Sequence, residues 1–465
     1  MQKYGTKYQE MTERPVKPLV ISLALPALAS NLVTAIYNIS DTFFVGHINT
    51  AASGAVGVSF VAMTTIQAAG FFLGQGTGNA ISRYLGSKQN ERANVMSSTG
   101  LAAALLLGLL IAILGHVFLE PLCLISGSTQ TILPYAKTFI GIILIGAPWM
   151  CASLMLNMQM RFEGEASHSM YAIMTGAVLN MLLTPILVFG VGLGIAGSAL
   201  STIICEFIGF CLLLRAMIKS GLTKLSPRYV QLTPALAREV FNGGFPSFVR
   251  QVMLGVATTL LNNAAKPFGD AAVAAIAIVQ RITGFGNYVQ IAIGQGFQPV
   301  IGFNLGARKY DRIREGYFFS LKVAFGTVLC IGTLTCVFAP ELIWFFRNDP
   351  EVVRVGTLTL RLVSFTMPLT GAAMITNFLL QTSGKMWRAT ILGACRLGLV
   401  LGPVVLVLSH ALGLTGVQIS QPVTDLITGL VTVPMAASVL RELAGDEKRH
   451  LAFLEKSQAP EAEAK

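Results

Sequence analysis

Long apolar runs recur along the whole chain, and no other feature limits its fold so tightly. Leu101 to Leu114 and Ile391 to Leu408 are examples. With its flanks, each run reaches the roughly 20 residues that cross a bilayer as a helix. The spacing predicts spans near 18–45, 53–81, 94–118, 133–160, 168–190 and 194–218, then near 236–264, 271–303, 314–340, 355–380, 388–411 and 415–438. Only 12% of the 465 residues are charged, against about 25% in an average soluble domain, too few to cover a water-soluble fold of this size. The expected fold class is an all-α polytopic membrane protein of about twelve helices. The first run continues to Gly46 without an Ala-x-Ala-like end, so it reads as a retained span and not a signal peptide. Seven cysteines in or beside spans, with no CxxC pair, read as small packing residues.

A net charge of +11 would suit a nucleic-acid partner, but the placement of the charge excludes one. Roughly 26 of the 33 Lys and Arg residues lie in the N-terminal segment, in the connections after even-numbered spans, and in the C-terminal segment. Arg83, Lys88 and Arg92 form one such group, and Arg308, Lys309, Arg312 and Arg314 another. About five lie on the other side, and Arg250 and Arg281 fall inside spans. By the positive-inside rule both termini, 1–17 and 441–465, are expected in the cytoplasm. The uncleaved first span and short loops suit a multi-pass protein of a bacterial cytoplasmic membrane.

The two halves repeat at a nearly constant offset. Pro26 pairs with Pro246, Gly74-Gln75-Gly76 with Gly294-Gln295-Gly296, Gly86 with Gly306, Pro148 with Pro368, Asn157 with Asn377, and Gly164 with Gly384, each 220 residues on. Near the end of each half the offset slips to 219, where Gly194 and Gly197 meet Gly413 and Gly416. A run of matches at one offset is the mark of duplication. The expected organisation is a six-helix lobe at 18–220, a linker at 221–235 and a second lobe at 236–440. Each half holds an even number of spans, so the repeats are parallel, related by an axis along the membrane normal. Two such lobes suit alternating access better than a fixed pore.

Pro26 followed by Asn38-Ile39-Ser40-Asp41-Thr42-Phe43-Phe44-Val45-Gly46 resembles the first-span signature of the MATE (multidrug and toxic compound extrusion) transporters. Gly74-Gln75-Gly76 with Tyr84-Leu85-Gly86, Gly294-Gln295-Gly296 with Asn304-Leu305-Gly306, and Gly192 to Gly197 are similar to further signatures of that family. Gln280-Arg281-Ile282 and Pro422-Val423-Thr424-Asp425 look most like its MepA-like branch. The resemblance runs from about Pro15 to Leu440. It implies a two-lobed antiporter exporting lipophilic, often cationic small molecules in exchange for H⁺ or Na⁺, working as a monomer among membrane lipids, with no cofactor beyond the coupling ion. A flippase for lipid-linked oligosaccharides of the same superfamily is the near alternative. A membrane-embedded enzyme is the distant one, since neither HExxH nor GxSxG occurs.

Polar residues inside spans point to the site, because a carboxylate in hydrocarbon costs several kcal/mol unless it is solvated or paired. Asp41 lies about five residues, roughly 7–8 Å, below the outer end of span 1. Asn180 and Thr184, one turn apart, and Thr202 fall at comparable depth. The four are expected to form a cation-coupling site, a placement that the family resemblance supports, with Na⁺ possible at Asp41 and Asn180. The family often has a second acid at position 184, where this chain has Thr184, and that departure leans the coupling toward protons. Where some relatives carry Glu in span 7, this chain has Leu254. Glu206, Asn157, Gln75 and Gln295 are candidates for substrate contact or proton relay. Asp425, the counterpart of Glu206, is expected to join Arg250, Arg281 and Arg396 in a charged network of the C-terminal lobe. That network reads as structural, or as rearranged when Asp425 is protonated.

Overall fold

The computed structural model describes residues 2–462. The side chains of 2, 3, 38, 39, 42 and 451–462 lie outside the description, as do the last residues of the expected 441–465 tail. Every regular element among the described residues is helical: α1 (Gln2–Glu13), α2 (Val16–Gly46), α3 (Thr50–Gly86), α4 (Asn90–Val117), α5 (Leu119–Ile125), α6 (Leu133–Phe162), α7 (Ala166–Pro185), α8 (Ile195–Ser220), α9 (Pro234–Ala265), α10 (Asp270–Gly306), α11 (Tyr310–Val337), α12 (Ala339–Phe346), α13 (Pro350–Thr382), α14 (Met386–Ala394), α15 (Leu401–Leu412) and α16 (Leu414–Ala462). A π-turn over Ile186–Gly190 extends α7, and another over Cys395–Leu399 joins α14 to α15. Among these, 11 spans are long and apolar enough to cross a membrane. The twelfth expected span, α9, is 32 residues long but is interrupted by Arg250, Gln251, Asn262 and Asn263, so length and not apolarity qualifies it. The polar N-terminal segment is itself helical, as α1.

The chain packs as two compact units. The N-terminal unit comprises 25–82 and 89–252, and the C-terminal unit 1–24, 83–88 and 253–465. Their membership differs from the consecutive halves of the repeat. The first turns of α2 belong to the C-terminal unit, and the first half of α9 belongs to the N-terminal one.

Within each unit the duplication shows as equivalent packing. In the N-terminal unit α6 lies against α4 and α8, and α8 against α7; in the C-terminal unit α13 lies against α10, α11 and α16. The equivalent helices α6 and α13 are the most enclosed spans, with 67% and 61% of their apolar windows buried. The outer helices α4 and α11 are only 22% buried by the same measure. They turn Leu106, Leu109, Ile113, Phe325 and Leu329 outward, apolar surface that lipid would cover.

Lipid gives apolar helices no hydrophobic reason to associate, so contact rests on close backbone approach at small residues. The repeated Gly-Gln-Gly segments supply it. A Cβ on Gly74 would lie 2.9 Å from Met158 Cβ on α6, and one on Gly294 would lie 2.0 Å from the ring of the equivalent Phe378 on α13. The second glycine of each pair meets the first helix of the other half. A Cβ on Gly76 would lie 2.3 Å from the Val240 carbonyl oxygen, and one on Gly296 would lie 2.6 Å from the Ala24 nitrogen. The motif therefore fixes the exchange of segments that defines the two units.

Residues following α8 are pinned to the N-terminal unit by side chain to backbone bonds. Glu163, at the end of α6, is fully buried and accepts from the Leu222 N–H at 2.5 Å and the Thr223 hydroxyl at 2.5 Å. Asn94 on α4 accepts from the Lys224 N–H at 2.7 Å, and Ser98 and Thr99 bind the backbone at Ser226 and Gln231. Burial pushes the Glu163 carboxyl up to about 7, against the opposing pull of its hydrogen bonds from Thr223 and Leu222.

Two outcomes follow from these contacts. Gly244→Ala would set a Cβ 2.0 Å from the Phe72 carbonyl oxygen. It should lower the unfolding temperature in detergent by the equivalent of about 1–3 kcal/mol; Gly57→Ala, with nothing within 4 Å, should not. Glu163 binds its proton more tightly in the folded protein than its ordinary value of 4.5 allows. Its stabilising contribution is thus full below that pH and lost as pH rises through about 7. Thermal unfolding followed between these pH values should fall more steeply for the wild type than for Glu163→Gln.

Candidate functional site

The polar side chains of the N-terminal unit gather where α2, α7 and α8 meet. Ser198, Ser201 and Thr202 lie within one turn of α8, three and four residues apart, and so share a face. Ser198 donates its hydroxyl to Asp41 Oδ1 at 2.7 Å. Asn180 Nδ2 donates to Ser201 Oγ at 3.3 Å, and Thr184 Oγ1 lies 3.1 Å from Asn180 Oδ1 and 2.9 Å from Ser201 Oγ. Thr202 donates to the Ser198 carbonyl at 3.1 Å, and Thr202 and Tyr37 line a common cavity.

The four residues expected to surround one cation therefore form two adjacent groups bridged by α8. Asp41 is held by a serine, and Asn180 and Thr184 close a ring with another. Ser198, Ser201 and Tyr37 escaped the sequence reading, although the Ser198, Ser201, Thr202 spacing was visible. A hard cation such as Na⁺ takes several oxygen ligands at once. Here Asn180 Oδ1 already accepts from Thr184. These oxygens are engaged with one another through hydrogen bonds.

Beside these groups lies a cavity of about 70 Å³. Tyr37, Ser153, Gly176, Asn180, Cys205 and Glu206 are among its lining residues. Small residues on α7 and α8 make the room, since Gly176 and Gly209 face it across the helix contact. Glu206 has no hydrogen-bond or ion-pair partner among the described residues. Its carboxylate is turned to the cavity, one turn along α8 from Thr202.

Three other expected site residues lie elsewhere. Gln75 is buried against α6, its Nε2 3.7 Å from Met158 Sδ, and Gln295 is likewise buried. The close helix approach that their flanking glycines permit encloses them, where the sequence suggested a wall open to a cleft. Asn157 lies one turn beyond Ser153 on α6, buried with its Nδ2 unpartnered. Its repeat partner Asn377 instead donates to the Ala389 carbonyl at 2.6 Å and joins two helices.

Of the charged network expected in the C-terminal unit, Asp425 and Arg396 form an ion pair. Arg396 Nε meets Asp425 Oδ1 at 2.9 Å, and its Nη1 reaches Asn287 Oδ1 at 3.4 Å. Thr366 donates to Asp425 Oδ2 at 3.3 Å. Arg281 is exposed on α10 and in no ion pair among the described residues. Arg250 lies in the part of α9 that packs with the N-terminal unit. Depth along a helix was readable from sequence; the face of the helix, which decides these pairings, was not.

An all-helical, internally duplicated chain with carboxylates inside its spans belongs to the class of polytopic membrane transporters. The MatE family model matches residues 26–186 and again 246–408, two copies beginning at Pro26 and Pro246. The chain belongs to the MatE family. It is 26% identical over 441 residues to multidrug export protein MepA of Staphylococcus haemolyticus, covering 94% of this chain and 96% of that one. To the Staphylococcus aureus protein of the same name it is 24% identical over 423 residues, covering 90% and 93%. Its fold is shared with a MATE transporter in its bent conformation (TM-score 0.90, 23% identity, 95% and 99% covered). A MOP superfamily transporter from Pyrococcus furiosus, described as having a binding pocket of reversed polarity, matches at TM-score 0.89 with 23% identity, covering 94% and 98%.

The buried pair gives a direct check on its structural role. Arg396→Leu strands Asp425 and should destabilise the folded protein by about 3–5 kcal/mol, read as a fall in unfolding temperature. The double change Arg396→Leu with Asp425→Leu should recover most of that loss.

Proposed function

We propose that this protein is a secondary antiporter that exports lipophilic, often cationic small molecules in exchange for a coupling cation, by alternating access. The observation that carries the reading is the pair Asp41 and Glu206. Two carboxylates stand inside the spans of one unit of a MatE-family chain, and neither is in an ion pair among the described residues. A carboxylate so placed is expensive when charged and empty, and far less so when it holds a proton or a cation. A site that must be neutralised but has no resident partner favours whichever cation is available on the side it faces. Exchange follows when a cation held at one carboxylate of the pair weakens the hold of the other carboxylate on its own cation. The relatives named as multidrug export proteins support the drug-export reading, and the chain resembles them over nearly its whole length.

The coupling ion in this reading is the proton, with Asp41 as its acceptor. Protonating Asp41 needs no new ligands, whereas Na⁺ would need several oxygen ligands gathered round one centre. Thr202, which donates to the Ser198 carbonyl, lines with Tyr37 the cavity where Glu206 lies. The distribution of Lys and Arg supports cytoplasmic termini, and the bacterial relatives support a bacterial cytoplasmic membrane. The protein works as a monomer among lipids. A lipid-linked oligosaccharide flippase would need free cationic side chains to hold a pyrophosphate. Arg396 is already committed to Asp425, which disfavours that alternative.

The test is dye efflux from proteoliposomes under an imposed pH gradient or Na⁺ gradient, with wild type beside Asp41→Asn. The expected outcome is transport of a cationic dye driven by the proton gradient and reduced at least tenfold in Asp41→Asn. Transport driven by Na⁺ alone would overturn the coupling assignment while leaving export intact. Folded protein that moves no dye under either gradient would overturn the export reading itself.

A further inference from the structure

Because the two halves are copies, each cavity residue has a counterpart in the other half. Glu206 on α8 corresponds to Asp425 on α16, at the offset of 219 set by Gly194 with Gly413 and Gly197 with Gly416. Gly176 on α7 corresponds to Arg396, at the offset of 220 set by Asn157 with Asn377 and Gly164 with Gly384. In the C-terminal unit these two positions hold an ion pair closed at 2.9 Å. In the N-terminal unit they hold a carboxylate without a partner and a glycine.

The local geometry agrees with that correspondence. Gly176 and Glu206 both line the cavity. A Cβ on Gly176 would point at α8, 3.3 Å from the Cys205 carbonyl oxygen and 3.8 Å from Gly209 Cα. A longer side chain starting there would run along the stretch of α8 that carries Glu206. The cavity is thus the space that a guanidinium side chain occupies in the other unit, with the matching negative charge left in place.

We infer that Gly176 is the specificity-determining residue of the N-terminal unit: by omitting an arginine it leaves a cavity, and a free Glu206 carboxylate, for the cationic head of a transported compound. This inference rests on the export reading above and narrows its substrate class. At about 70 Å³ the cavity is far smaller than the roughly 300–1,000 Å³ of a drug-sized pocket, so it admits a compact alkylammonium or amidinium group while the rest of the molecule stays outside. The Tyr37 ring and the Asn180 amide supply the neutral part of such a subsite. The duplicated lobes have diverged into one that accepts a cation and one that carries its own.

The experiment restores the missing arginine. Binding of a dansyl-tagged alkylammonium to the purified full-length protein is measured by fluorescence for wild type, Gly176→Arg and Glu206→Gln, each first checked by thermal unfolding. In parallel, the hydrophobic reagent dicyclohexylcarbodiimide is applied and its adduct on Glu206 is quantified by peptide mass spectrometry. Gly176→Arg and Glu206→Gln should each weaken binding at least tenfold, and Gly176→Arg should suppress the Glu206 adduct. Folded Gly176→Arg with wild-type affinity and an undiminished adduct overturns the inference. Should Gly176→Arg not fold, unchanged binding in Glu206→Gln overturns it just as well, and tenfold weaker binding there supports it. A wild type that binds no alkylammonium at all overturns the cation-export reading and the inference with it; a wild type that binds while the variants bind equally overturns the inference alone.

Discussion

A charge held in hydrocarbon must be compensated, and this chain compensates its three intramembrane carboxylates in three different ways. Asp425 has an arginine at ion-pair distance and a threonine on its second oxygen. Asp41 has one serine hydroxyl. Glu206 has a cavity with polar walls. A salt bridge is complete in itself and resists change, because removing either partner strands the other. A single hydroxyl compensates a carboxylate only in part, and a cavity does so only when something enters it. The gradient from complete to incomplete compensation runs from the C-terminal unit to the N-terminal one.

The glycines serve the same constraint from the side of packing. Helices in lipid associate through contact and not through water exclusion. Gly74, Gly76 and their counterparts bring backbones to distances that any side chain would block. Tight contact elsewhere is what makes the void beside Gly176 significant. A loosely packed bundle would contain many such spaces, and one more would carry no meaning. Here the space coincides with a carboxylate that has no hydrogen-bond or ion-pair partner among the described residues.

Much of this was legible in the sequence because membrane folding writes strong one-dimensional signals. Span length is set by bilayer thickness, so apolar runs located the long helices α2, α3, α4, α6, α7, α8, α9, α10, α11 and α13 to within about five residues, whereas the short α5 and α12 left no such signal. Only α9, with Arg250 and two asparagines inside it, diluted the signal. Duplication left a constant offset that the family match reproduces at Pro26 and Pro246. The site was legible to the level of which helices and what depth. Which face each residue takes was not, because that depends on the rotation of a helix about its own axis, set by packing with neighbours distant in sequence. Arg281 and Arg396 differ in that respect only: one turns outward, and the other turns to Asp425 from a π-turn that no periodicity announced. Ser198 and Ser201 were missed for a related reason. In a chain this rich in small residues, a serine that binds an aspartate and a serine that merely packs look alike until the partner helix is in place.

Divergence between the lobes also bears on how one antiporter can use a duplicated frame. If both units held free carboxylates, the charges to be neutralised would be spread over both units, and partly loaded states would multiply. If both held an ion pair, no ligand would be drawn in at all. On the proposed reading the Asp425–Arg396 pair compensates its own charge, and the change in charge during a cycle is confined to the unit that holds Asp41 and Glu206. A conformational equilibrium can be shifted by a ligand only through its differential affinity for the two states. Concentrating that affinity at carboxylates that cannot stay charged and empty ties each conformational step to a binding event. The exchange of cation for cation then needs no gate beyond the electrostatics of the site.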